Sequence, residues 1–457
     1  MNARQRLVFP GPNPLSRRGF LRRAFAHSAV LVVPAGVLGR AGETVPSQRL
    51  NLACIGAGGR GRADLEGVSS ENIVALCDVD ETRGADAMKA FPKARFFTDY
   101  RRMYDRMGRE LDGVVVATPD HTHAAAVMGA LGLGKHVYCE KPLAHSLHEV
   151  RTLTQAARRA KVTTQVGNQG HSSESIRQFV ELVRAGAIGA VREIHLWNEN
   201  SYRPAAHRVR PATGQTPPPH LHWDLWLGPA SERAYHPVYH PGRWRGWVAF
   251  GTGIIGDWTC HQLDPSYWAL DLGSPTSVRA ESEEYDAPEV RAETFPAVST
   301  VTYEFPARGT RPGVTVKWFT GRLAPRPEEL EPQRQMPKIG ALVVGDRGQI
   351  MHGSHGAGGA QIIPVEKDRA YQRPPQTIPR VKDHYEDWMR ACKDGRPAGS
   401  GFEYGGPLTE VALLGVLAQR FTGQRLEWDS AELKITNHGE ANQCVNPPCR
   451  PGWELPS

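Results

Sequence analysis

The chain has 457 residues, of which 40% are hydrophobic and 23% charged, the composition of a folded protein with room for two domains. Its formal net charge is +7, but the first 41 residues hold seven arginines and no Asp, Glu or Lys. The rest of the chain is therefore neutral overall, which argues against a strongly basic nucleic-acid-binding surface and predicts no nucleic-acid partner.

Residues 1–41 have the pattern of an export signal. Arg17 and Arg18 precede a stretch of small and apolar residues from Ala24 to Leu38. This stretch is too short to cross a membrane and has the length of a secretory signal core. Paired arginines are typical of the twin-arginine (Tat) route, which exports folded proteins. The sequence predicts a periplasmic or other extracytoplasmic location, and a plain basic tail is the alternative.

The chain from residue 49 to 168 alternates short apolar runs with helical stretches. Such alternation indicates parallel β-α-β units, so we predict an α/β, doubly wound parallel sheet of the Rossmann type. The predicted strands are Leu50–Ile55, Asn72–Val79, Leu111–Ala117, His136–Cys139 and Val162–Val166. The clearest predicted helices are His123–Leu133 and Leu147–Ala160.

From residue 169 to 440, long connections rich in Pro, Gly, His and Trp separate the strand-like segments. This pattern predicts a C-terminal α+β domain with a mostly antiparallel sheet, followed by a tail over residues 441–457. The predicted strands are Val191–Asn198, Thr276–Glu283, Val298–Phe305, Gly313–Thr320, Leu426–Trp428 and Leu433–Ile435. The predicted helices are Ser175–Ala185, His384–Lys393 and Pro407–Thr422, and the long connections are 203–222, 306–340 and 352–378.

The cysteines and histidines give no pattern of metal ligands. The seven cysteines lack metal-ligand spacing, and those at 54, 77 and 139 lie in apolar runs typical of core positions. Cys444 and Cys449 flank a Pro-containing loop and form either a disulfide or two free thiols. The His-rich stretch has no compact ligand spacing, so we predict no metal site there: His207, His220, His222, His236 and His240.

The run from Gly56 to Gly61, GAGGRG, is a G-x-G-x-x-G placed between a predicted strand and a predicted helix. Gly56 allows the tight turn, Gly58 lets the backbone approach a pyrophosphate, and Gly61 lets the helix pack closely on the strand. Asp78 follows the second strand about 20 residues later, where a carboxylate bonds the ribose hydroxyls of a dinucleotide. Asp78 favours NAD over NADP, whereas Arg60 and Arg83 keep NADP open.

Two further motifs resemble those of the Gfo/Idh/MocA oxidoreductase family. They are Thr118-Pro119-Asp120-His121-Thr122-His123 and Cys139-Glu140-Lys141-Pro142. The similarity covers nearly everything after the leader and includes the segments 167–171, 253–264 and 426–429. Family members act mostly on sugars and cyclitols. Their second domain is an open-faced sheet used for substrate and oligomer contacts, so the resemblance implies a carbohydrate substrate and a homo-oligomer.

The resemblance also implies roles for particular residues. Lys141 would reach the reacting oxygen beside the nicotinamide, where an ammonium stabilises a developing alkoxide. His261 would be the general base, with Asp257 orienting it or binding substrate. Residues 257, 261 and 264 share one face if the segment is a single helix, although Pro265 would kink that helix. The alternative makes Asp257 a helix cap and His261 a buried core histidine.

The remaining site predictions concern binding. The glycine motif and the resemblance together assign the cofactor to Gly56, Gly58, Gly61, Arg60, Asp78, Thr118, Pro119, His121, His123, Glu140 and Lys141. The resemblance assigns the substrate to Gln169, His171, Asp264 and Trp258. Other aromatic residues suit a pyranose ring or simply pin long loops: Trp244, Trp247, Tyr235 and Tyr239.

The sequence as a whole predicts an exported NAD(P)-dependent oxidoreductase that transfers hydride between a tightly bound nicotinamide cofactor and a sugar, cyclitol or sugar derivative. Tight binding is expected because little free cofactor is available outside the cytoplasm. Two alternatives remain open: a redox-neutral, NAD-dependent glycosidase or lyase, and a non-catalytic cofactor-binding sensor.

Overall fold

The structure, a computed structural model, describes residues 48–204 and 207–456. From Leu50 onward the chain forms one compact unit. The predicted export signal in residues 1–41 lies outside the described residues and stays a prediction.

Six parallel strands form the first sheet, in the order β3-β2-β1-β4-β5-β6. Val114 and Val116 pack into one hydrophobic core cluster and Val115 into a second, because helices cover both faces of a doubly wound sheet. The predicted α/β Rossmann sheet is confirmed. Its strands are β1 (Asn51–Ile55), β2 (Asn72–Cys77), β3 (Arg95–Phe97), β4 (Gly113–Val116), β5 (His136–Cys139) and β6 (Thr164–Val166).

Local capping signals explain where several helices of this sheet begin. Asp80 and Asp99 accept hydrogen bonds from backbone N–H groups of the first turns of the helices that follow them. Ser146 and Glu149 form a reciprocal capping box. The helices are α1 (Arg60–Gly67), α2 (Glu81–Ala90), α3 (Tyr100–Met107), α4 (Asp120–Gly132) and α5 (Leu147–Ala160).

The second sheet has nine strands in the order β13-β12-β11-β7-β10-β9-β8-β14-β15. In the described residues, β7 and β10 form the one parallel pair of this sheet, and its other strand pairs are antiparallel. The predicted mostly antiparallel sheet is therefore confirmed. Its strands are β7 (Val191–Asn198), β8 (Ser277–Ser282), β9 (Ser299–Phe305), β10 (Val314–Thr320), β11 (Ile339–Gly345), β12 (Gln349–Gly353), β13 (Gln361–Ile363), β14 (Arg425–Asp429) and β15 (Lys434–Ile435).

One face of this sheet is covered and the other is open. Alternate residues of β9 and β10 are buried, whereas Thr302 and Lys317 on the opposite face are partly exposed. The helices of this part are α6 (Glu174–Arg184), α7 (Trp223–Leu227), α8 (Gly253–Gln262), α9 (Asp264–Leu270), α10 (Pro288–Glu293), α11 (Val365–Ala370), α12 (His384–Asp394), α13 (Phe402–Arg420) and α14 (Gly439–Gln443). The long helix α13 packs on β8 and β9 and also on α5 and β6, which joins the two sheets through one core.

The structure differs from the sequence predictions where the connections were expected to be longest. Strand β13 lies inside the connection predicted at 352–378, and β11 and β12 lie mostly in residues 341–351, where no element was predicted because glycines obscured the strand pattern. Helix α13 begins at Phe402 instead of Pro407, so this proline lies inside the helix.

The C-terminal tail contains both cysteines of the proposed pair. Cys444 and Cys449 are free thiols in the structure. Within residues 48–204 and 207–456, no helix combines the length and the apolar character that a membrane crossing requires.

Candidate active site

The loops at the carboxyl ends of β1, β2, β4 and β5 converge on a cavity of about 410 Å³. This is the edge at which doubly wound sheets bind their ligands. Residues after the parallel sheet also line the cavity, among them Trp226, Trp244, Arg245, His261 and His355. The site is therefore built from distant parts of the sequence.

The glycine loop has the close approaches that its sequence pattern requires. Gly56 has a φ of 82°, a left-handed conformation that glycine adopts without strain. A side chain at Gly61 would place its Cβ 1.8 Å from the carbonyl oxygen of Gly56. The start of α1 can therefore pack on the end of β1 only if residue 61 is a glycine.

Asp78 lies beside this loop at the end of β2. Its Oδ2 accepts a hydrogen bond from Gly58 N at 3.1 Å, and its Oδ1 accepts one from Asp80 N at 3.0 Å. Burial raises the pKa of Asp78 to about 6, against the opposing effect of these two backbone donors. The carboxylate lines the cavity, where hydroxyl donors of a ribose would stabilise its charged form.

Arg60 is held by protein carboxylates at the cavity wall. Its guanidinium lies 3.1 Å from Glu140 Oε1 and 2.8 Å from Asp64 Oδ1. Gln169 donates to the same Glu140 oxygen at 2.6 Å and to Tyr138 Oη at 2.8 Å. The structure thus brings together three predicted site residues, Arg60, Glu140 and Gln169, in one network that lines the cavity.

The Thr118-to-His123 motif divides between the cavity and the protein interior. Thr118, Pro119 and His123 line the cavity, and the two ring nitrogens of His123 lie 2.8 Å from the carbonyl oxygens of Thr118 and Pro142. His123 therefore ties the loop after β4 to the segment after β5. By contrast, His121 lies in the interior between the carbonyl oxygens of Trp226 and Phe250, away from this cavity.

Lys141, which lines the cavity, forms a buried ion pair with Asp257. Lys141 Nζ contacts the carboxylate of Asp257 and donates to its backbone oxygen at 3.1 Å. Burial alone would lower the pKa of Lys141, but the charges of Asp257 and Glu140 outweigh it and raise the pKa above its ordinary value. Burial likewise opposes the charged form of Asp257, whereas Lys141 and Arg245 hold the pKa of that carboxyl low. Lys141 is therefore a fixed ammonium donor.

Tyr202 holds the other oxygen of Asp257. Its hydroxyl donates to Asp257 Oδ2 at 2.5 Å and accepts from Trp258 Nε1 at 3.2 Å. Burial and the adjacent carboxylate raise the pKa of Tyr202 above its ordinary value. Tyr202 thus stays a neutral donor that orients Asp257, and through it Lys141.

His261 faces the same cavity one helical turn after Asp257. Its side chain is buried, and its Nδ1 has no hydrogen-bond partner among the described residues. Burial and the charge of Lys141 lower the pKa of His261 well below its ordinary value. The ring of His355 packs against it, with centroids 4.2 Å apart. A neutral imidazole with an unused nitrogen in a cavity can accept a proton from a bound hydroxyl.

Asp264 and His171 do not join this cavity. Helix α8 ends at Gln262 and α9 begins at Asp264, with Pro265 in the first turn, where a missing N–H costs nothing. Leu263 between the two helices keeps helical dihedrals and donates to Thr259 O at 2.9 Å, but the Asp264 carboxylate does not line the cavity with His261. The carboxylate of Asp264 accepts from His171 Nδ1 at 2.9 Å, from Asn168 Nδ2 at 3.1 Å and from Tyr404 Oη at 2.5 Å.

We expect Asp264→Ala to lower the free energy of unfolding by roughly 3 kcal/mol, because it leaves three buried donors without an acceptor. Chemical denaturation would measure this loss. Asp86→Ala, at a carboxylate that is 84% exposed, is the matched control and should change stability by less than about 0.5 kcal/mol. Unchanged stability of Asp264→Ala together with lost substrate binding would return Asp264 to the substrate site.

The aromatic residues predicted to bind a pyranose ring also fall into two groups, one near the cavity and one in the interior. Trp244 lines the cavity, and Trp258 contacts the Asp257 network through Tyr202. The others pack with Phe250 and Trp226 in a buried cluster that pins the long connection: Trp247, Tyr235 and Tyr239. In the part of the chain that the structure describes, no group of three or more His, Cys, Asp or Glu side chains is placed to hold a metal ion.

Sequence reasoning did not identify Tyr202, Arg245 or His355 as site residues. Each lies in a connection without periodic pattern, and His355 is far along the chain from His261. The nearest signal was the density of His, Trp and Arg in these connections, which is unusual for loops that only join strands.

Comparison with known proteins identifies the family. Residues 50–168 match the oxidoreductase family, NAD-binding Rossmann fold, and residues 176–308 match the oxidoreductase family, C-terminal alpha/beta domain. Together these matches cover more than half of the chain. The chain belongs to the Gfo/Idh/MocA oxidoreductase family. The resemblance identified from the sequence motifs is therefore confirmed.

Other members of the Gfo/Idh/MocA family show how far the similarity extends. Inositol 2-dehydrogenase 2 of Saccharopolyspora erythraea is 31% identical over 162 residues, which are 34% of this chain and 47% of that protein. D-apiose dehydrogenase of Paraburkholderia graminis is 32% identical over 165 residues, 35% and 42% of the two chains. The matched region therefore spans less than half the length of these curated relatives.

A solved structure shows the same fold over almost the whole chain. The inositol dehydrogenase homolog from Azotobacter vinelandii, complexed with NAD+, superimposes with a TM-score of 0.56 at 17% identity. The alignment covers 84% of this chain and 98% of that one. The likeness extends the shared architecture beyond the region matched by the curated relatives.

Proposed function

We propose that the protein is an NAD(P)-dependent oxidoreductase that acts on the CH–OH group of a sugar, cyclitol or sugar derivative. The observation that carries the proposal is that Lys141, which is paired with Asp257, and His261 line the same cavity as the glycine loop and Asp78. Donors for a nucleotide and proton-handling groups for a substrate thus face one space.

The residues present fit a nicotinamide dinucleotide. The loop from Gly56 to Gly61 allows a close backbone approach to a pyrophosphate at the start of α1, and Asp78 offers a carboxylate to ribose hydroxyls. A bound nicotinamide supplies the group that accepts or donates hydride. Asp78 favours NAD, because its carboxylate would repel a 2′-phosphate.

The proton chemistry falls on two side chains. The ammonium of Lys141, fixed by Asp257, would donate a hydrogen bond to the reacting oxygen and stabilise negative charge there. His261, held neutral by burial and by Lys141, would accept the hydroxyl proton when the alcohol is oxidised and return it in the reverse direction. Asp257 and Tyr202 position Lys141.

A polyhydroxylated substrate suits the rest of the wall. Trp244 offers an aromatic surface, while Arg245 and His355 offer polar edges in the same part of the cavity. The relatives named inositol 2-dehydrogenase and D-apiose dehydrogenase support the choice of a cyclitol or sugar. We also propose that the folded protein is exported by the Tat route to an extracytoplasmic location. There it would act as a homo-oligomer that retains its cofactor tightly.

The test uses purified full-length protein and the near-ultraviolet absorbance of reduced nicotinamide. We expect cofactor to co-purify or bind, and one member of a panel of sugars and cyclitols to change its redox state. Aglycone release from a glycoside without net reduction would instead favour the redox-neutral glycosidase or lyase. Cofactor binding with no turnover of any panel member would favour the sensor, and no cofactor binding would reject the proposal.

A further inference from the structure

We infer that the C-terminal tail completes the dinucleotide site, with Trp453 covering the adenosine half of the bound cofactor. This inference rests on the proposed function, because it concerns the same cavity. Its evidence is the position of one aromatic side chain and the contacts that hold the tail in place.

The strand order identifies the two ends of the cavity. Asp78 follows β2 and Tyr100 begins the helix after β3, at one edge of the sheet. Lys141 follows β5, on the other side of β1. Since the ribose-binding carboxylate of a Rossmann site marks the adenosine half, adenosine belongs at the Tyr100 end and nicotinamide at the Lys141 end.

Trp453 lies at the adenosine end. It lines the cavity together with Tyr100 and Thr122, and its ring centroid is 6.4 Å from that of Tyr100. The guanidinium of Arg101, in the first turn of α3, lies 4.4 Å from the centroid of the indole. Arg450 also lies near the ring, 5.5 Å from its centroid, and the indole is only partly buried by these neighbours, bordering this cavity and the neighbouring one that Leu455 lines.

Arg450 anchors the tail three residues earlier. Its side chain is 9% exposed and donates to Asp224 Oδ1 at 2.7 Å and to the Asp224 carbonyl at 3.0 Å. Its backbone N–H donates to Pro229 O at 3.0 Å, and Trp453 N donates to Arg450 O at 3.1 Å. These bonds fix the tail to the connection around α7, which itself contributes Leu225 and Trp226 to the cavity.

This arrangement has a consequence for cofactor exchange. A dinucleotide that loses contact with the tail would expose its adenine to water, whereas the docked tail buries apolar surface of both partners. Cofactor release then requires the Arg450–Asp224 contact to open. Slow release is the property that an enzyme exported with its cofactor would need.

The test measures the affinity of the full chain for ADP-ribose, NAD and nicotinamide mononucleotide by titration calorimetry. We expect Trp453→Ala to raise the Kd for ADP-ribose and NAD by at least about tenfold. Nicotinamide mononucleotide, which lacks adenosine, should bind both forms equally. Arg450→Ala should speed the release of NADH, followed by nicotinamide fluorescence.

Two controls separate this role from a general loss of structure. Leu455→Ala removes an apolar side chain from the same tail that does not line the dinucleotide cavity, and should leave all three affinities unchanged. Trp453→Phe should restore most of the affinity. A change of less than about twofold for Trp453→Ala, or an equal loss for nicotinamide mononucleotide, overturns the inference. If the unaltered chain binds neither NAD nor ADP-ribose, the proposed function fails as well.

Discussion

Lys141→Met is expected to lower the rate of hydride transfer by roughly 100- to 10,000-fold while leaving the Kd for NAD within about threefold. The substitution keeps the length of the side chain but removes the ammonium aimed at the reacting oxygen. Without the ammonium, the negative charge that develops on the substrate oxygen has no cationic hydrogen-bond donor to stabilise it. The fold should survive, because Asp257 retains Tyr202 as a hydrogen-bond donor and Arg245 as a nearby positive charge.

Single-turnover rates with the substrate found in the panel, together with NAD binding by fluorescence, would measure both quantities. Lys338→Met is the matched control, because Lys338 also forms an ion pair, with Glu199 at 2.8 Å, but its side chain is 83% exposed. We expect no change in rate for this variant. A Lys141→Met enzyme that keeps its rate within about threefold would assign the proton chemistry to another group.

The nucleotide half of the site was predictable because its signals are local. A turn of glycines between a strand and a helix, and an acid at the end of the next strand, need only the order of the elements to be interpreted. Gly56, Gly61 and Asp78 accordingly lie where the pattern places them. Lys141 was predictable for a similar reason, since it directly follows β5 at the same edge of the sheet.

The substrate half was only partly predictable because its contacts are long-range. The spacing of Asp257 and His261 predicted that both lie on one face of a helix. Their partners, Tyr202 for Asp257 and His355 for His261, come from connections that precede and follow this helix in the sequence. No periodicity predicts such pairings. Gln169 and His171 belong to the same sequence motif but face different surroundings. Gln169 lines the cavity, whereas His171 points into the interior toward Asp264.

Asp264 shows that a correct helix spacing does not by itself reveal what surrounds a side chain. The spacing of residues 257, 261 and 264 places them on one helix face, but Asp264 lies almost two turns beyond Asp257 along the helix axis. Its carboxylate there meets Asn168, His171 and Tyr404, which tie α9 to the segment around Asn168 and to α13. Asp264 therefore contributes to packing and does not line the cavity.

Gly61→Ala is expected to weaken NAD binding by at least about 100-fold and to lower the free energy of unfolding by a few kcal/mol. The added methyl group would overlap the carbonyl oxygen of Gly56, at a distance of 1.8 Å from the Cβ, and its other neighbours include the Ala117 side chain at 3.2 Å. Because backbone atoms form the closest obstacle, the helix must move away from the strand. That movement displaces the N–H groups at the start of α1 from the pyrophosphate position.

Gly132→Ala provides the matched control for this prediction. It makes the same substitution at the last residue of α4, where a Cβ would meet nothing within 4 Å. Alanine there should stabilise the protein by up to about 1 kcal/mol and leave NAD affinity unchanged. Calorimetric titration with NAD and thermal unfolding of the two variants separate loop geometry from the general effect of removing a glycine. Equal NAD affinities for Gly61→Ala and Gly132→Ala would show that cofactor binding does not depend on the close packing of α1 on β1, and the assignment of this loop to the pyrophosphate would be wrong.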